Sequence, residues 1–165
     1  MKGIFSALMV PYNEDGSINE KGLREIVRHN IDNMKVDGLY VGGSTGENFM
    51  ISTEEKKRVF EIAIDEAKDQ VQLIAQVGSI NVFESVELGK YATKLGYKCL
   101  SAVTPFYYKF SFEEIKEYYF TIVRETGNNM IIYSIPFLTG VNMSVAQFGE
   151  LFANEKIIGV KFTAG

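Results

Sequence analysis

The sequence predicts an α/β fold built on a parallel sheet, and three observations carry that expectation. Short β-rich runs alternate with longer helical runs along the 165 residues. Several β-rich runs are nearly continuous in apolar residues, as in Met130-Ile131-Ile132-Tyr133-Ser134-Ile135, which is how a strand reads when both faces are buried. At the starts of the helical runs, Ser or Asn stands three residues ahead of Glu or Gln, the pattern of a capping box.

Taken in order, the expected strands are Ile4 to Pro11, Gly38 to Gly43, Val71 to Gly78, Cys99 to Pro105, Met130 to Pro136 and Ile157 to Phe162. The capping pairs are Ser52 with Glu55, Asn81 with Glu84, Ser111 with Glu114, and Ser144 with Gln147. Each can satisfy backbone N–H groups that a helix start leaves unpaired. After Ser111 the apolar residues Ile115, Tyr118, Tyr119, Ile122 and Val123 make one buried stripe, and Gly127 offers a C-terminal stop. Residues 1–165 read as one domain without a linker or a low-complexity segment. Alternating β and α elements imply right-handed parallel crossovers. Two architectures fit: a doubly wound open sheet, which suits this length, and a (β/α)₈ barrel, which typically needs about 250 residues.

Composition excludes several classes of function. The formal charge of -4 and the lack of a polybasic run give no electrostatic reason to bind nucleic acid or an anionic membrane. Hydrophobic residues make up 46%, as in an ordinary folded domain. Cys99 is the one cysteine, so an internal disulfide is impossible and a cysteine-based metal site is not expected. His29 is the one histidine and reads as a helix-surface or packing residue. No signal-peptide pattern or apolar stretch of ~20 residues is present, so the expected location is the cytoplasm.

Four segments at strand ends could carry chemistry. Lys161 lies near the end of the apolar run Ile157 to Phe162. Such a lysine can simply reach for solvent, or it can be an amine held in an apolar pocket. Desolvation there disfavours the ammonium and leaves a neutral nucleophile for a ketone. Gly42-Gly43-Ser44-Thr45-Gly46-Glu47 follows the second strand. Its glycines free the backbone to present N–H groups, and Ser44 and Thr45 add hydroxyls, a combination suited to a small carboxylate as well as to an ordinary βα turn. It is neither a Walker loop nor a dinucleotide fingerprint. Tyr133 can be a core residue, or its phenol can shuttle a proton beside a lysine and a carboxylate. Thr104-Pro105-Phe106-Tyr107-Tyr108 reads as packing or interface before chemistry.

Together these segments resemble the N-acetylneuraminate lyase family, within the larger dihydrodipicolinate synthase-like group. The resemblance runs from Gly3-Ile4-Phe5 to Gly159-Val160-Lys161-Phe162-Thr163, with Ser101-Ala102-Val103-Thr104-Pro105-Phe106-Tyr107-Tyr108 and Tyr133-Ser134-Ile135-Pro136 in the family's order. It implies the (β/α)₈ barrel, with about six βα units in this chain. It also implies cleavage of N-acetylneuraminate to N-acetylmannosamine and pyruvate by a homotetramer that needs no metal or organic cofactor. Lys161 is the Schiff-base lysine by this resemblance, and Tyr133 the proton donor and acceptor. Ser44 and Thr45 would hold the pyruvate carboxylate, Thr163 would touch the sugar part, and Tyr107 would reach toward a neighbouring subunit's site. Leu138 stands where dihydrodipicolinate synthases carry an arginine for a second carboxylate, which favours an uncharged sugar chain. Family members have eight βα units, so the sequence is expected to be part of a longer chain and, alone, to form no stable, active monomer.

Overall fold

The structure, a computed structural model, describes residues 1–163. Two compact units form, one from Met1–Gln76 with Lys94–Tyr97, the other from Val77–Thr93 with the chain from Lys98 onward.

In the first unit, β1 (Phe5–Ala7), β2 (Gly38–Val41) and β3 (Gln72–Gln76) are parallel neighbours in sequence order. Every residue of β2 is buried, which explains its continuous apolar reading. The helices α1 (Glu20–Arg28) and α2 (Thr53–Ala67) pack beside each other. They bury Leu23 and Val27 from one and Val59, Phe60, Ala63 and Ala67 from the other. Arg24 ties their exposed sides by pairing with Glu20, Asp65 and Glu66. Such partly exposed pairs contribute little each, so the apolar stripe dominates the helix contact. Ser52 caps α2 through the reciprocal box with Glu55 that the sequence predicts. Exposed His29 opens a turn of π-helix that continues α1.

The first strand is shorter than expected. Leu8 N–H still donates to Tyr40 O at 3.0 Å, but Pro11 has no N–H to extend a ladder, and Tyr12 turns to bridge Ile18 instead.

In the second unit, β4 (Cys99–Val103), β5 (Asn129–Ser134) and β6 (Ile157–Phe162) are parallel and again in sequence order. Most of α3 (Val82–Leu95) belongs here, with α4 (Phe112–Thr126), the short α5 (Pro136–Thr139) and α6 (Val145–Phe152). Ser111 and Ser144 make the expected capping boxes with Glu114 and Gln147, and Gly127 ends α4 at φ 63°. The stripe Ile115, Tyr118, Tyr119, Ile122 and Val123 is buried as predicted. Asn81 differs. Its Oδ1 accepts from Phe83 N–H, while its own N–H donates to Ser79 Oγ, whose hydroxyl donates to Glu84. A serine thus stands between the two expected capping partners. Cys99 is buried, and burial pushes its thiol up to about 12, as suits an inert core residue.

The β5–β6 register carries an irregularity. It passes from Met130↔Ile157 to Ile131↔Gly159, so Ile158 is an extra residue on β6. Side chains alternate along a strand, so residues four apart normally share a face. The extra residue breaks that count. Ile157 stays with the buried Met130, whereas Lys161 pairs with Tyr133 on the other face.

Candidate active site

The residues singled out from the sequence lie at or just beyond the C-terminal ends of strands. In the second unit three of them meet. Tyr133 and Lys161 are direct partners across β5 and β6, and the Lys161 amine sits 3.7 Å from the centroid of the Tyr133 ring. Thr163 follows two residues after Lys161. Its N–H donates to Ser134 O at 2.8 Å, which extends the ladder beyond β6 and keeps Thr163 on the lysine's face. Lys161 Nζ donates to Thr163 Oγ1 at 3.2 Å. Tyr133 is 4% exposed, so its ring is a fixed wall for the amine.

Within this chain the lysine is half-buried.

Beside this cluster lies a groove of about 570 Å³, lined among others by Ser134, Pro136, Phe137, Asn142, Phe162 and Thr163. Ser134 and Phe162 alternate with Tyr133 and Lys161, so most of the groove lies on the opposite face of the strands from the amine. Leu138 is 60% exposed on α5.

The loop after β4 carries Tyr107, which is 82% exposed and holds a left-handed backbone, φ 77°. A non-glycine residue there costs roughly 1 kcal/mol or more, and such strain tends to collect at functional sites. Its ring meets Tyr108 edge-on at 4.9 Å between centroids.

In the first unit Ser44 and Thr45 stand exposed in one 3₁₀ turn, Ser44–Gly46. The N–H groups of both open that turn, where no intrahelical acceptor exists. Two hydroxyls and two amides on adjacent residues form a donor cluster fitted to a carboxylate. Gly42 makes the approach possible at φ 74°, and a side chain at Gly43 would strike the ring of Tyr40. The turn is braced from below. Tyr12 OH donates to Gly46 O at 2.9 Å and Gln76 Nε2 to Gly42 O at 3.4 Å. Burial, with Glu47 and Glu55 nearby, pushes the Tyr12 phenol up and keeps it a donor.

Sequence reading missed Tyr12 and Gln76, which act from 34 residues away in the chain. It also missed a knot under the loop after β3. Tyr118 OH donates to Ser79 O at 3.0 Å and contacts Ser85 Oγ at 3.0 Å, while Ser79 N–H donates to Ser85 Oγ at 2.9 Å. Burial raises the Tyr118 phenol to about 12, so it stays protonated. The one available signal was a pair of tyrosines in an otherwise aliphatic stripe, which reads as core. Among the described residues, no helix is long and apolar enough to cross a membrane. No group of three His, Cys, Asp or Glu among them could hold a metal ion.

Comparison with known proteins identifies the family. The model of the dihydrodipicolinate synthetase family matches residues 1–165. The N-acetylneuraminate lyase of Fusobacterium nucleatum is 89% identical over 165 residues, which are 100% of this chain and 57% of the relative. The crystal structure of the same lyase complexed with pyruvate has a TM-score of 0.94 at 88% identity, covering 100% of this chain and 55% of that one. The structure of CdNal from Clostridium difficile, in complex with mannosamine, has a TM-score of 0.99 at 72% identity, covering 100% of this chain and 57% of that one. The chain therefore spans little more than half the length of the relatives it matches. These likenesses set aside the doubly wound open sheet that length alone favours. The fold is that of a (β/α)₈ barrel with six of its strands and the helices between them present in this chain. The chain belongs to the dihydrodipicolinate synthetase family.

Proposed function

We propose that this chain carries the Schiff-base half of an N-acetylneuraminate lyase, acting within a chain of the relatives' full length. The observation that carries the reading is the contact of Lys161 with Tyr133 and Thr163 at the strand ends. An amine beside a phenol is the minimum apparatus for imine chemistry coupled to proton transfer. The 89% identity to a protein of that name supports the choice of substrate.

The steps follow from the chemistry of the groups. The neutral Lys161 amine attacks the C2 ketone of the open-chain sugar acid, and the carbinolamine loses water to give an iminium. Tyr133 accepts the proton of the C4 hydroxyl while passing its own toward the substrate carboxylate. The C3–C4 bond breaks, and its electron pair moves into the iminium as an enamine. N-acetylmannosamine leaves as the aldehyde. The enamine takes at C3 the proton that Tyr133 passed toward the carboxylate, returned through the same phenol, and water hydrolyses the imine to pyruvate and free lysine. Ser44 and Thr45 hold the carboxylate with hydroxyls and the amides that open their turn. Charge-assisted hydrogen bonds of this type orient a small anion strongly. The lysine itself supplies the electron sink, so the scheme uses no metal or organic cofactor.

The proposal extends to assembly and location. Exposed Tyr107 and Tyr108 suit a contact with a neighbouring subunit of a homotetramer, working in the cytoplasm. Pyruvate release from N-acetylneuraminate and other keto-deoxy sugar acids, and pyruvate consumption in the presence of aspartate semialdehyde, test the substrate. Preference for N-acetylneuraminate is expected. Preference for aspartate semialdehyde would move the chain to dihydrodipicolinate synthesis.

A further inference from the structure

We infer that the Thr163 hydroxyl is a positioning residue for the Lys161 amine in imine formation itself, over and above any contact with the sugar. The inference rests on the Schiff-base reading of Lys161. Three observations place the hydroxyl. Thr163 lies two residues beyond Lys161, on the same face of the extended chain. Its backbone is fixed, because its N–H donates to Ser134 O at 2.8 Å. Its Oγ1 accepts from Lys161 Nζ at 3.2 Å.

A lysine side chain has many rotamers, and contacts at its tip narrow them. The contacts with Tyr133 and Thr163 do so here. The Tyr133 ring sets how far the amine lies from β5, at 3.7 Å from the centroid. The Thr163 oxygen sets where it lies along the strand. Accepting an amine N–H keeps the nitrogen lone pair of the neutral form off Thr163 and free for a ketone. The methyl group of threonine cannot do this, and a valine of the same shape would remove only the acceptor.

Pyruvate separates this role from sugar binding, because it has no sugar part. Thr163→Val and Thr163→Ser are made in a chain of the relatives' full length. Pyruvate is trapped on Lys161 with borohydride and followed by mass at saturating pyruvate. Thr163→Val is expected to slow trapping about tenfold, ~1.4 kcal/mol. Thr163→Ser, which keeps the oxygen, is expected to trap within about twofold of the parent chain. Trapping by Thr163→Val at the parent rate, with only cleavage of N-acetylneuraminate impaired, would overturn the inference and confine Thr163 to the sugar. Equal slowing in Val and Ser would also overturn it, since packing rather than the acceptor would then matter. If the unsubstituted chain is not trapped at Lys161, the Schiff-base reading itself fails and takes this role with it.

Discussion

Lys161 and Tyr133 are direct partners across two parallel strands, with the lysine nitrogen 3.7 Å from the centre of the phenol ring. The ring is buried, so it gives the amine a fixed neighbour. This arrangement suits a reaction in which the lysine must form and release a covalent bond while the phenol moves only a proton.

Removing the Tyr133 hydroxyl separates these roles. Tyr133→Phe keeps the ring and its packing but deletes the proton carrier. Turnover of N-acetylneuraminate should fall about 10²–10⁴-fold. Imine formation with pyruvate should fall much less. Steady-state cleavage and borohydride trapping on the same preparation measure both, and unchanged turnover would return Tyr133 to the core.

The pairing depends on which face of β6 the amine takes. Exchanging neighbours by Val160→Lys with Lys161→Val moves the amine one residue, onto the face of Ile132. A shift of one residue reverses the side-chain direction. Trapping of pyruvate should disappear, although Val160 is itself half-buried and leaves the swapped chain able to fold. Circular dichroism checks the fold and mass spectrometry the adduct. An adduct on the relocated lysine would show that β6 slides freely.

That face was not legible in the sequence, although the strand was. β6 spans Ile157–Phe162 as expected, and so do the helix starts at Ser52, Ser111 and Ser144, because capping and apolar runs are local properties. Counting by twos from Ile157 puts Lys161 on the same side as Ile157. Only the partner strand reveals that Ile158 is an extra residue and that the count is broken. Tyr118 was placed correctly as buried, but its hydroxyl serves Ser79, 39 residues earlier, a relation no local pattern encodes. The loop after β2 was recognised by its glycines, whereas its braces Tyr12 and Gln76 come from distant segments.

Leu138 offers a test of the proposed substrate. It is 60% exposed on α5, so Leu138→Arg can be accommodated without burying charge in the core. Arginine there would offer a bidentate partner to a second carboxylate. Cleavage of N-acetylneuraminate should weaken, and preference should move toward a substrate bearing that carboxylate. Identical kinetics in the substituted and parent chains would place position 138 away from the substrate.

Acid should destabilise the fold through a defined set of carboxylates. Hydrogen bonds from Ser52 and Ser111 hold Glu55 and Glu114 below the ordinary 4.5. Arg24 does the same for Glu20 and, from 3.8, for Asp65. Depressed values mean that the unfolded chain binds these protons first. The stabilisation is therefore complete above pH 4.5 and is lost as the pH falls through the lowered values. Melting temperatures between pH 7 and pH 3 should be flat down to about 4.5 and then drop. Glu114→Gln should make that drop shallower. A drop centred near pH 6 would point to a different group.

Borohydride trapping with pyruvate, read by mass at the peptide carrying residue 161, tests the central claim most directly. In a chain of the relatives' full length, one pyruvate-derived adduct on Lys161 is expected, and none in Lys161→Ala. An adduct on another lysine, or one that persists in Lys161→Ala, would contradict the account.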